Sequence, residues 1–193
     1  MSVTIVVTSH TPRVRNGLLT RALDSVWNQS HLPDAVVIAL DHYHQGAART
    51  RNRALFMANT EWIVFLDSDD ILYPTYLKRV FEHQEETKAD VVIPWYDVKG
   101  AADPLLCNKE IEWDHNSPHS FTITCLVRRE LAVNVGGFPV EDPVSKWCLG
   151  EDFPFWVKLS SMGAKFSKLP ENLWEWNHNP QGGNTSGIGS RWV

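Results

Sequence analysis

No apolar run in this chain approaches the ~20 residues needed for a helix to cross a bilayer. The N-terminus enters the stretch 3–8, VTIVVT, with no basic flank and no small-residue cleavage site, so no secretory leader is expected. Cysteine is scarce: Cys107, Cys125 and Cys148 are odd in number, far apart and without a CxxC pair. That excludes a disulfide framework and a zinc knuckle and points to a reducing compartment. Positive charge is also short, with 18 Lys and Arg against 23 Asp and Glu and a net charge of −5. A broad nucleic-acid or anionic-membrane surface is therefore disfavoured, although a local basic pocket is not. The expectation is a soluble, cytoplasmic protein with no stable membrane insertion.

What is present suits one globular domain. The chain has 193 residues, 43% of them hydrophobic and 21% charged, enough to build a proper core. Nine Trp is a high count. Trp usually packs cores but also lines sugar and aromatic-ring sites. The first third alternates regularly: VTIVVTS (3–9) reads as a buried strand, 16–30 as an amphipathic helix, and DAVVIAL (34–40) as a second buried strand ending at Asp41. Residues 46–59 read as a helix and EWIVFL (61–66) as a third strand. This order predicts a Rossmann-like α/β architecture, with a mostly parallel sheet flanked by helices.

Further along, Pro74 is expected in the first turn of a helix over 74–87. Residues 89–98 predict a strand and 99–120 a surface excursion. Residues 120–131 predict a strand running into a short helix, GGF (136–138) a turn, and 150–166 a helix with Gly163 as its C-cap. The tail from Pro180 reads as a Gly-rich loop. No repeat, linker or second domain is evident.

Four groups of residues carry chemistry. Asp67, Asp69 and Asp70 follow the apolar run of 61–66, and no Lys or Arg lies within 61–74. Ligands of open parallel sheets bind beyond the carboxyl ends of the strands, where Asp41 and Asp67 both fall. Hard oxygen donors at Asp67 and Asp69 suit Mg²⁺ or Mn²⁺, which would be the missing positive partner and would carry a phosphorylated ligand. The plainer alternative is that these acids cap the next turn. Gly46 precedes a helix bearing Arg49, Arg51 and Arg53, an unfavourable place for cations unless an anion or acid group is near. Glu151 and Asp152 open an aromatic helix, as an N-cap or as a general base at a pocket rim. His178 is a metal ligand, a proton carrier or a surface residue beside a Gly-rich segment able to fold over a ligand.

In chain order the sequence contains TIVVTSHTPR, VVIALD, RNRAL, FLDSDDILYP, VGGFP, LGEDFPFW and NHNPQGGNTS. Each motif is weak alone, but the ordered set spans nearly the whole chain and resembles glycosyltransferase family 2, whose members have the GT-A fold. The resemblance implies a single domain over 1–193, with a nucleotide-sugar-binding half (1–98) and an acceptor and catalytic-base half (99–193). It implies a metal-dependent, inverting transfer from a nucleotide-diphosphate sugar, a UDP-sugar foremost, to a hydroxyl of a glycan, protein or modified nucleic acid. By carry-over, Ser9, His10, Asp41, Arg51, Asp67 and Ser68 hold the nucleotide. Asp69 binds Mn²⁺ or Mg²⁺, His178 completes the metal site, Asp152 is the base, and Glu151 contacts the acceptor or orients the base. Trp95, Trp113, Trp147 and Trp156 are candidates for acceptor stacking. Two rival readings are a sugar-phosphate nucleotidyltransferase, which would want a glycine cluster after the first strand, and a non-catalytic sugar-nucleotide-binding protein.

Overall fold

Apolar residues on both faces of the first and third strands would be wasted unless both sides of the sheet were covered, and both are. The structure, a computed structural model, describes residues 1–100, 122–140 and 152–178. Along β1 (Val3–Ser9) and β3 (Trp62–Asp67), Val3, Ile5, Val7, Trp62, Val64 and Leu66 face one way. They meet Ala22 and Val26 of α2 (Leu18–Trp27) and Leu77, Val80 and Phe81 of α4 (Tyr76–Thr87). The alternate residues Val6, Ile63 and Phe65 face the other core, with Ala54 and Leu55 of α3 (Ala47–Met57), Ala132 of α5 (Arg129–Asn134), and Phe155, Trp156 and Leu159 of α6 (Asp152–Ser161). The two-residue period of a strand thus sorts one apolar run into two cores. A short helix, α1 (Thr11–Arg15), follows β1 directly.

The remaining strands are β2 (Ala35–Leu40), β4 (Ile71–Leu72), β5 (Val91–Gly100), β6 (Leu126–Arg128) and β7 (Phe166–His178). Among the described residues they form, with β1 and β3, one seven-stranded sheet in the order β2-β1-β3-β6-β5-β7-β4. β2 and β3 run parallel to β1, and β5 and β7 run parallel to each other. The short β6 is antiparallel to both β3 and β5, and β4 is antiparallel to β7. Five of the seven strands therefore point the same way. Their carboxyl ends carry Ser9, Leu40-Asp41, Asp67, Gly100 and His178 to one margin of the sheet.

The structure corrects several expectations. Among the described residues β2 is an edge strand, not a buried one: there it pairs with β1 alone, and Ile38 is 47% exposed. Pro74 precedes the helix, which starts at Tyr76 after Thr75. Neither α1 nor the 13-residue β7 was expected from the sequence: Pro170 and the polar residues of β7 disguise a strand. Its pairing with β5 shifts register around Pro94, Trp95 and Tyr96, as a sheet does where proline interrupts the ladder. The strand expected within 120–131 is confined among the described residues to Leu126–Arg128, and α5 follows as anticipated. The helix expected over 150–166 ends at Ser161, with Gly163 at φ +82° behind it. The surface excursion over 99–120 falls outside the described residues from 101 on, as do Cys107, Trp113, Trp147, Cys148 and Glu151. The Gly-rich tail lies outside them from residue 179. Among the described residues, no helix is long and apolar enough to cross a membrane.

Candidate active site

Asp67 ends β3 beside Thr8 of β1, its register partner. The Thr8 hydroxyl donates to Asp67 Oδ1 at 2.8 Å. Arg51, on the inner face of α3 and 3% exposed, donates from one terminal nitrogen to both Asp67 oxygens, at 2.8 and 3.0 Å. Its other terminal nitrogen donates to Asp152 Oδ1 at 3.0 Å. One guanidinium thus joins two carboxylates that the sequence sets far apart, Asp67 on a strand end and Asp152 in the first turn of α6. The position of Asp152 also suits an acid, because the helix N-terminus carries partial positive charge.

The neighbouring acids have partners too. Asp69 is paired at 2.7 Å with Arg13, and both side chains are about nine-tenths buried or more. Asp70 accepts the backbone N–H of Asn177 at 2.9 Å, pinning the end of β7 next to the cluster. The positive partner absent from 61–74 is therefore supplied from elsewhere in the chain, and the Arg-bearing helix does have an acid group beside it, Asp67. Arg13 arrives from α1 and Arg51 from α3, and no local window of sequence contains either beside the aspartates.

Burial and these partners pull the three carboxyls apart. Burial alone would raise Asp67, but Arg51, Arg13 and the Thr8 hydroxyl outweigh it and hold its pKa below the usual value. Burial pushes Asp69 up to about 6, with Asp67 adding to the rise and Arg13 opposing it. Asp70, buried and next to two like charges, is raised well above the ordinary range. Oxygens of Asp67, Asp69 and Asp70 lie within 4.8 Å of one another. Ser68 between them is fully buried, and its hydroxyl has no hydrogen-bond partner among the described residues. A compact set of hard oxygens with an orphaned hydroxyl fits Mg²⁺ or Mn²⁺. An ion ligated by Asp69 would have to share that carboxylate with Arg13 or displace it.

The other candidates sit around the same margin. Asp41 is buried, and its two oxygens accept the backbone N–H groups of Gln45 and Gly46 at 2.9 and 2.8 Å, which shapes the loop into α3. Ser9 is buried at the end of β1, and His10 stands at the start of α1. The His10 pKa is lowered first by burial and then by Arg13. A pocket of about 190 Å³ opens beside them, lined by Thr11, Val14, Arg15, Leu40 and His42. The backbone of His178 ends β7 opposite Gly100, one residue beyond the pinned Asn177. Trp156 is 1% exposed within the core, so its stacking role is withdrawn, whereas Trp95 is half-buried.

The RN and GGF motifs prove to be two halves of one clamp. Asn52 donates to the Phe138 carbonyl and accepts the Phe138 N–H, both at 2.8 Å. Gly137 between them has φ +71°, and an added Cβ would lie 2.3 Å from Asn52 Oδ1. Gly136 has φ +78°, but a Cβ there would meet nothing within 4 Å. Both alanine variants should lose about 1–3 kcal/mol for the left-handed backbone. Gly137→Ala should lose distinctly more, because it also breaks the clamp. Urea midpoints of the two variants measure the difference, and equal midpoints would refute the clamp.

The curled, mostly parallel sheet between helices, with acids gathered at its carboxyl margin, is the GT-A fold. S. aureus TarS in complex with UDP-GlcNAc superposes with a TM-score of 0.72 at 18% identity, over 93% of this chain and 59% of that one. The mannosyltransferase PcManGT from Pyrobaculum calidifontis, in complex with GDP-Man and Mn²⁺, gives 0.66 at 18% identity, over 93% of this chain and 58% of the other. The TarS chain in that complex is residues 1–349; this chain thus spans about three fifths of these two solved chains, and 38% of the longer solved TarS. The model of glycosyl transferase family 2 matches residues 36–138, and the chain belongs to that family. Among curated proteins, the poly(ribitol-phosphate) beta-N-acetylglucosaminyltransferase TarP of Staphylococcus aureus is 37% identical over 54 residues, which is 28% of this chain and 16% of TarP.

Proposed function

We propose that this domain is a glycosyltransferase that moves a sugar from a nucleotide-diphosphate sugar, a UDP-sugar foremost, to an acceptor hydroxyl with inversion at the anomeric carbon. The observation that carries this reading is the meeting of Asp152, from the second half of the chain, with the Asp67–Asp70 cluster through Arg51. The UDP-GlcNAc complex of TarS supports the donor class. Residues 1–98 form the donor half, and 99–193 supply the base and the acceptor side, in a cytoplasmic setting.

Asp152 takes the proton of the acceptor hydroxyl as that oxygen attacks the anomeric carbon, and the bond to the diphosphate oxygen breaks on the opposite face. Glu151, beside it in sequence, contacts the acceptor or steadies the base. Ser9, His10, Asp41, Asp67 and Ser68 border the nucleotide, and the pocket between Thr11 and His42 takes the planar base. Asp69, with His178, would hold Mn²⁺ or Mg²⁺, whose charge offsets that of the departing diphosphate.

Thermal denaturation with UDP, with and without Mn²⁺, tests the donor site. A ligand at about 100 times its Kd stabilises the native state by about 2.7 kcal/mol. UDP with Mn²⁺ should raise Tm more than UDP alone, and Asp69→Asn should remove the Mn²⁺-dependent part. Failure of UDP, GDP and dTDP alike to shift Tm would defeat the proposal.

A further inference from the structure

Residues 51 and 52 are neighbours on α3 but grip the catalytic half of the chain in two different ways. Asn52 fixes Phe138 by two backbone hydrogen bonds. Phe138 in turn stacks on Phe155 of α6, with ring centroids 4.1 Å apart and planes at 22°. Phe155 lies three residues after Asp152, so this stack docks the first turn of α6. The Arg51 guanidinium rests 5.5 Å from the centroid of the same Phe138 ring and holds Asp152 Oδ1 at 3.0 Å. Its second terminal nitrogen is engaged by both oxygens of Asp67. At 3% exposure, the side chain has both terminal nitrogens engaged by protein carboxylates, an arrangement suited to bracing protein groups.

We propose that Arg51 is a positioning residue for the base: its planar fork fixes the Asp152 carboxylate relative to Asp67, so that the acceptor's proton acceptor is aligned with the donor site. This inference rests on the reading of Asp152 as the base. A guanidinium can do this because its nitrogens are rigidly coplanar and contact two carboxylates at once. A lysine at position 51 keeps the charge but offers a single flexible ammonium, which can hold one carboxylate well and not both.

The test compares Arg51→Lys, Asp152→Asn and the double variant by steady-state transfer kinetics and by UDP titration calorimetry, which also reports whether each variant is folded. Arg51→Lys should lower kcat about tenfold to a hundredfold, the scale of a modest misplacement of a reacting group. It should leave UDP affinity within about twofold, since no nucleotide contact is lost. In the Asp152→Asn background the lysine should cause almost no further loss, because the group it misplaces is already gone. Unchanged kcat in Arg51→Lys, a tenfold loss of UDP affinity, or losses that multiply in the double variant would each overturn the brace. Wild-type turnover in Asp152→Asn would instead overturn the base assignment, and the brace with it.

Discussion

Asparagine at position 152 should lower glycosyl transfer by about 10²–10⁴-fold, the contribution usual for a positioned general base. The substitution preserves shape, and the amide oxygen can still accept from the Arg51 nitrogen that now reaches Asp152 Oδ1. Geometry is therefore largely kept, while the capacity to take a proton is lost. UDP affinity should change by about twofold at most, because the group acts on the acceptor side and makes no donor contact in this scheme. The measurement is product formation under saturating donor, set against UDP binding by calorimetry on the same preparations. A variant that binds UDP normally yet turns over at the wild-type rate would remove Asp152 from the chemistry.

Methionine at position 51 should cause the largest loss of stability among single changes at the site. It leaves Asp67 and Asp152 without their shared cation and removes the charge beside the Phe138 ring. Breaking one side of a buried ion pair costs about 3–5 kcal/mol, and the lower end applies here because both carboxylates keep some contact with water, at 26% and 29% exposure. Guanidinium chloride unfolding checks it. Asp67→Asn in the same chain should restore part of the loss, since the stranded charge is then removed. If Arg51→Met shifts the midpoint no more than an exposed surface change, the bridge between the two halves carries little.

Much of the architecture was legible because β-strands and helices write their periods into the chain. The runs 3–9 and 61–66 set apolar residues at both odd and even positions, which only a strand covered on both sides can use. The candidate acids could be located as well, since strand ends at a common margin are where open sheets place ligands. β7 was not legible, because Pro170 and its polar residues break the alternation that marks a strand, and it is held by β5 through register shifts. Nor could β2 be told from a central strand, for Val36, Val37 and Ile38 are as apolar as β1. Its edge position depends on which neighbour lies beyond it.

The sequence by itself therefore determined the α/β class, the helices between strands, the family pattern and the residues worth testing. These follow from local period, turn chemistry and the order of short motifs. Only the tertiary structure decided how the aspartates are neutralised. Arg13 reaches Asp69 from α1, Arg51 ties Asp67 to Asp152, and Asn52 locks the GGF turn. Electrostatic pairing depends on distances through space between side chains. Those distances are set where strands and helices from separate parts of the chain come together.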